Sequence, residues 1–211
     1  MAKVILIRHG ETDWNKEQVF RGRIDIALNE VGLAQARAVR SSLKDVQIDR
    51  IYSSPLGRAF ETGRVLLENR ACEIETADGF TDIDFGRWQG IAHQKVKEEY
   101  KDFYETWLAK PHMTTFPGGE SLEQVQRRSM GALEKIIKNH PGGTLAVVSH
   151  RVVNKVLLCT ILGLELSRFW QIRQDTCAVN RFEYRDQNFY LTLLNDTCHL
   201  KKVKGASMVD F

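Results

Sequence analysis

Two runs of four residues with no polar member, Val4-Ile5-Leu6-Ile7 and Leu145-Ala146-Val147-Val148, constrain this chain more than any other feature. Each breaks off at a polar turn bearing a histidine: Arg8-His9-Gly10 after the first and Ser149-His150 after the second. A strand that is apolar throughout has to be covered on both faces, which is the situation of a parallel sheet held between helices. The rest of the chain supplies those helices. Asn29 stands as an N-cap, with Leu28 and Leu33 spaced as a hydrophobic staple, ahead of Leu33, Ala36, Val39 and Leu43 at helical intervals. Ile48 to Tyr52 reads as another strand, stopped at Ser53-Ser54-Pro55, and Leu56 to about Leu67 as the helix that follows it. Ser121 to Gln124 has capping-box spacing and opens a helix on Leu122, Val125, Leu133 and Ile136 that ends near Pro141-Gly142-Gly143. A helix from about Val152 to Leu162 is stopped by Gly163, and Ala178 to Tyr184 with Phe189 to Leu194 alternate like the arms of a hairpin. Residues 80–119, with helix expected between Ala92 and Leu108, are the least regular stretch and suit a lid over a site.

At 211 residues the expectation is one α/β domain spanning 1–211. With 43% hydrophobic and 27% charged residues the composition is ordinary for a globular chain, and no segment reaches the ~18–20 apolar residues of a membrane span. The run that ends at Arg8 is too short for a secretory signal. Cys72, Cys159, Cys177 and Cys198 lack metal-finger spacing and read as thiols rather than disulfides, so the expected location is cytoplasmic. The net charge of +3 carries no basic run or aromatic-interleaved patch of the kind that binds nucleic acid. Lys201, Lys202 and Lys204 read as a solvated end, or as a segment that folds toward the site or a partner chain.

In open parallel sheets ligands bind beyond the carboxyl ends of strands, so the residues leaving each strand matter most. Here those residues are Arg8 and His9, then Arg58 after Ser53-Ser54-Pro55, then His150. Two guanidiniums and two imidazoles suit a phosphate dianion, bound bidentately by the guanidinium forks. A neutral His9, with its second nitrogen donating to a backbone carbonyl, has the lone pair needed to attack phosphorus, and a protonated His150 would stabilise the equatorial oxygens. The leaving alkoxide needs an acid, a carboxyl kept protonated by burial beside the phosphate; Asp82 is the candidate and Asp84 the reserve, whose other role is to cap the turn before Phe85-Gly86. A metal site built from His9, His150 and Asp82 or Asp84 is the alternative, disfavoured by the absence of HxH or HExxH spacing and by the arginines.

Arg8-His9-Gly10-Glu11-Thr12 with Trp14-Asn15, Ser53-Ser54-Pro55-Leu56 with Arg58, Asp84-Phe85-Gly86, Gly118-Gly119-Glu120-Ser121 and Ser149-His150 follow one another in an order that resembles the histidine phosphatase superfamily, also called phosphoglycerate mutase-like. The resemblance covers nearly the whole chain. It implies a three-layer α/β/α sandwich with a mostly parallel central sheet, phosphohistidine on His9, a phosphate held by Arg8, Asn15, Arg58 and His150, and no metal or other cofactor. Three positions depart from the family pattern. Asp82 stands where Glu is usual, one methylene shorter, a difference of about an ångström that costs on the order of a hundredfold unless the loop compensates. Arg21 stands where relatives carry Thr or Gln, and would favour a second anionic group or else be a solvated surface residue. Arg151 replaces a small residue and narrows the pocket rim.

Members of this family either hydrolyse a phosphomonoester or, as cofactor-dependent phosphoglycerate mutases, return the phosphoryl group to a second hydroxyl. The mutases carry an Arg-Arg insertion before the Gly-Glu-Ser segment; here Tyr104 to Leu108 passes almost directly to Phe116-Pro117. The chain therefore resembles the branch of α-ribazole, broad-specificity and metal-independent phosphoserine phosphatases, acting on a small phosphorylated metabolite. The shared terminal pattern Asn195 to Leu200 makes His199 a further candidate for substrate contact, beside a capping or surface role. Mutase activity and a phosphate-binding pseudoenzyme are the alternatives. The apolar residues of the Ala178 to Leu194 hairpin would be covered by a homodimer or by one-sided packing on the helices.

Overall fold

A computed structural model describes residues 1–205. Among them six strands form one sheet in the order β3-β2-β4-β1-β5-β6, where β1 is Ala2–Arg8, β2 Arg50–Ser53, β3 Glu73–Thr76, β4 Thr144–Ser149, β5 Val179–Arg185 and β6 Asn188–Asp196. The first four in that order are parallel, and the β5–β6 hairpin closes the other edge antiparallel. This is the expected mostly parallel sheet.

The two apolar runs form its centre, and their alternation explains the layers. Leu6 and Val147 face a core shared with α6, Leu122–Asn139, and α7, Arg151–Ile161, whereas Ile7 and Val148 face one shared with α2, Glu30–Ser42, and α3, Gly57–Leu67. Local signals set the helix starts: Asn29 accepts from Gly32 N at 2.8 Å, and Ser121 and Gln124 close their capping box in both directions. A one-turn α1, Asp13–Lys16, follows β1 directly.

Residues 80–119 depart from the single helix expected there. Two helices, α4 at His93–Glu99 and α5 at Lys101–Ala109, meet at Tyr100, whose backbone (φ −125°, ψ 36°) breaks the run. The segment is anchored on aromatic side chains: the Phe116 ring lies 4.9 Å from Phe85 and 5.1 Å from both Trp88 and Trp107, in edge-to-face arrangements. Among the described residues no helix is long and apolar enough to cross a membrane. All four cysteines are free thiols.

Candidate active site

Strand register builds the site. Arg8 of β1 stands opposite Ser149 of β4, and Ser53 of β2 opposite Val148. The residues that come next, His9, His150 and Ser54, thus leave the sheet at about the same level. Pairing continues past the strands, with His9 N donating to Ser149 O at 2.9 Å and Ser54 N to Val148 O at 3.0 Å. The two imidazoles are buried with ring centroids 5.1 Å apart.

His9 Nδ1 is 2.6 Å from the Gly10 carbonyl, so Nδ1 carries the hydrogen and Nε2 the lone pair. Gly10 is needed for this turn, since a Cβ there would stand 2.5 Å from Gly32 O. Burial, then Arg58, Arg8 and Arg21, hold His9 well below the ordinary imidazole value; the bond to Gly10 opposes them. His150 is pushed down in the same way by burial, then by Arg58, His9 and Arg21. Its Nε2 shares a 2.8 Å hydrogen bond with Ser54 Oγ, and its Nδ1 lies 3.7 Å from Asp82 Oδ2. Both shifts favour the neutral imidazole, and the protonated His150 expected from the sequence requires a bound anion to raise it.

Arg8 and Arg58 are fully buried and oriented by carbonyls. Arg8 Nη1 donates to Gln174 O at 2.5 Å, and Gln174 is held by the Asn180 carboxamide, which also donates to Leu6 O. Arg58 donates to Ile24 O at 2.9 Å and Gly22 O at 2.8 Å, and its Nη2 forms a 3.1 Å ion pair with Asp82 Oδ2. Asp82, Arg21 and Arg151 line the same crevice as His9.

The remaining candidates separate. Asn15 is buried as the third residue of the α1 capping box, its Oδ1 accepting from Thr12 N and Oγ1 at 2.9 and 3.0 Å. Asp84 caps its turn, Oδ1 accepting from Gly86 N at 2.8 Å, and faces Arg23 rather than the crevice. His199 is turned to the Cys177 carbonyl at 3.0 Å and does not line the crevice. Among the described residues no group of three His, Cys, Asp or Glu side chains is arranged to hold a metal ion, and the guanidiniums around His9 would repel one.

Sequence reading missed the residues that hold the catalytic candidates in place. In the sequence Ser54 is part of a strand stop; in the fold its hydroxyl meets His150 Nε2. The Arg128 guanidinium, on α6, donates to Gly79 O at 2.9 Å, Thr81 O at 2.6 Å and Asp82 O at 3.1 Å while its Nε and Nη2 grip Glu120. That fork clamps the loop carrying Asp82. Its sequence signal is the Glu120–Arg128 spacing, two turns apart across the helix start. A wider groove, about 480 Å³, lies at the other end of β1 between the end of α6 and the hairpin, and no imidazole lines it.

The sequence model described as histidine phosphatase superfamily (branch 1) matches residues 4–197. Phosphoserine phosphatase 1 of Hydrogenobacter thermophilus is 36% identical over 200 residues, 95% of each chain. The metal-independent phosphoserine phosphatase of Arabidopsis thaliana is 32% identical over 206 residues, covering 96% of this chain and 85% of that one. Among solved structures, YhfR of Bacillus stearothermophilus superposes with a TM-score of 0.92 at 28% identity, over 95% of this chain and all of the other.

Proposed function

The chain belongs to the histidine phosphatase superfamily and is a phosphoric monoester hydrolase, and from that premise we propose that His9 is the residue that accepts the phosphoryl group of a small phosphorylated metabolite, phosphoserine foremost. The observation that carries the reading is His9 itself: Nδ1 tied to Gly10, Nε2 left with the lone pair, and the ring kept neutral by burial among arginines. Arg8 and Arg58 would bind the phosphoryl oxygens, aided by His150 and by the Asn15 amide nitrogen, since the Asn15 oxygen is taken by Thr12. The names of the two curated relatives support phosphoserine as the substrate.

In the first step Nε2 bonds to phosphorus as the P–O ester bond breaks, and Asp82 gives its proton to the departing alkoxide. The dianion takes over the Arg58 fork, which releases Asp82 from its ion pair to carry that proton. Water then attacks phosphorus, its proton passes to Asp82, and the Nε2–P bond breaks. Charge stabilisation comes from guanidiniums, so no metal is required. Water rather than a second hydroxyl is the acceptor, because α5 leads through one short turn at Pro111–Met113 to Phe116 with no insertion to retain an intermediate. Nucleic acid and membrane have no part in this reading. The free thiols suit a cytoplasmic protein, and the exposed Tyr190 and Leu194 of β6 mark the edge at which a homodimer would pair.

The assignment of the acid is tested by leaving group, with EDTA present throughout. Asp82→Asn is expected to slow phosphoserine by about a hundredfold or more and p-nitrophenyl phosphate far less, because p-nitrophenolate leaves without a proton. Equal loss on both esters, or a leaving-group effect in Asp84→Asn instead, contradicts it.

A further inference from the structure

The loop that carries Asp82 has no regular structure of its own. It runs from a short helical turn at Asp78–Phe80 to another at Gly86–Trp88, and residues 81–85 between them belong to no helix or strand. Its backbone is nevertheless bonded residue by residue. Arg128 of α6 donates to Gly79 O, Thr81 O and Asp82 O, Ser149 Oγ at the end of β4 donates to Phe80 O at 2.8 Å, and Glu120 Oε2 accepts from Asp84 N at 3.0 Å. The loop lies so close on α6 that a Cβ on Gly79 would stand 2.4 Å from Ala132 Cβ.

All five N–H groups of Arg128 are engaged, three on those carbonyls and two, from Nε and Nη2, on the Glu120 carboxylate at 2.9 and 3.0 Å. Burial pushes the Glu120 carboxyl up, yet Arg128, the Asp84 amide and Arg23 together hold it below the ordinary value, so the pair stays ionic near neutral pH. Neither residue lines the crevice. What they fix is the backbone on both sides of Asp82, whose Oδ1 accepts from Ile83 N at 2.9 Å and whose Oδ2 lies 3.1 Å from Arg58 Nη2 and 3.7 Å from His150 Nδ1. An aspartate has one torsion fewer than a glutamate with which to make good a displaced backbone. A misplacement of about an ångström costs on the order of a hundredfold, so the reach of Asp82 depends on where the loop is held.

Resting on Asp82 as the acid, we propose that Arg128 and Glu120 are positioning residues for proton transfer to the leaving alkoxide, acting on the substrate only through the loop that presents Asp82. Glu120→Gln keeps the shape of the side chain and removes its charge and one acceptor, whereas Arg128→Met removes the whole fork. Each is expected to lower kcat for phosphoserine by on the order of tenfold to a hundredfold and kcat for p-nitrophenyl phosphate far less, with KM for both esters little changed. Arg128→Lys should recover part of the loss. In an Asp82→Asn background either change should slow phosphoserine no further, because the group it positions is gone. A merely structural pair gives a different pattern: both esters fall together, or the losses multiply in Asp82→Asn. Either result overturns the positioning role and leaves the phosphatase reading and its acid standing. If Arg128→Met does not fold, Glu120→Gln and Arg128→Lys decide by the same ratio of the two esters. Absence of the leaving-group effect in Asp82→Asn itself overturns the acid, and the positioning role with it.

Discussion

At the scale of single residues, environment rather than identity assigns the roles. Asp82 and Asp84 are two positions apart, yet one pairs with Arg58 in the crevice and the other caps a turn facing Arg23. Sequence reading ranked them in that order but could not see the Arg58 pair, because the guanidinium arrives from a helix 24 residues away. The imidazoles follow the same rule. An unperturbed histidine titrates near 6.5, and burial among cations depresses both His9 and His150. The expected outcome is that nitrogen NMR of histidine-labelled protein shows His9 as the neutral Nδ1–H tautomer at pH 5.5; titration at the ordinary value contradicts it. The linked effect on stability has a definite sign. A depressed folded-state value means that the unfolded chain takes up protons first, so the contribution of these rings is present above about pH 6.5 and is lost as pH falls from there through the folded value.

Elements show what the sequence conveyed and what it concealed. β1, β4 and the capped helices α2 and α6 were legible because their signals are local: an apolar run, an N-cap, a capping box. β3 was not, since Glu73-Ile74-Glu75-Thr76 has one apolar side chain and is a strand only because β2 offers it an edge. The break at Tyr100 and the Arg128 clamp are likewise products of tertiary packing. Where the turn at residues 84–86 crosses the one at 117–119, backbones touch: Glu120 N donates to Asp84 O at 2.9 Å, and a Cβ on Gly119 would stand 2.3 Å from the same oxygen. Gly119→Ala should therefore lower Tm by roughly 2 to 12 °C through overpacking. Gly131, in the middle of α6, meets nothing within 4 Å, so Gly131→Ala should raise Tm through helix propensity. Thermal unfolding of the two variants in parallel checks the account; shifts of the same sign contradict it.

For the whole molecule, function follows from topology. A parallel sheet ordered β2-β4-β1 sets three carboxyl ends side by side, and the register delivers His9, His150 and Ser54 there from positions as much as 141 residues apart in the chain. Helices on both faces bury those ends, and burial among arginines shifts both imidazoles toward the neutral form. The fold and the meeting of His9, Arg58 and His150 were readable because each strand announces its own end. That Arg21 and Arg151 share a crevice with His9 is visible only in the fold. The central claim is that the phosphoryl group rests on His9 between two displacements. Rapid acid-free quenching of the enzyme with ³²P-labelled phosphoserine, followed by peptide mapping, tests it most directly. The account predicts alkali-stable, acid-labile label on the peptide containing His9, and none in His9→Ala; steady turnover with label on no histidine, or unimpaired turnover by His9→Ala, would contradict it.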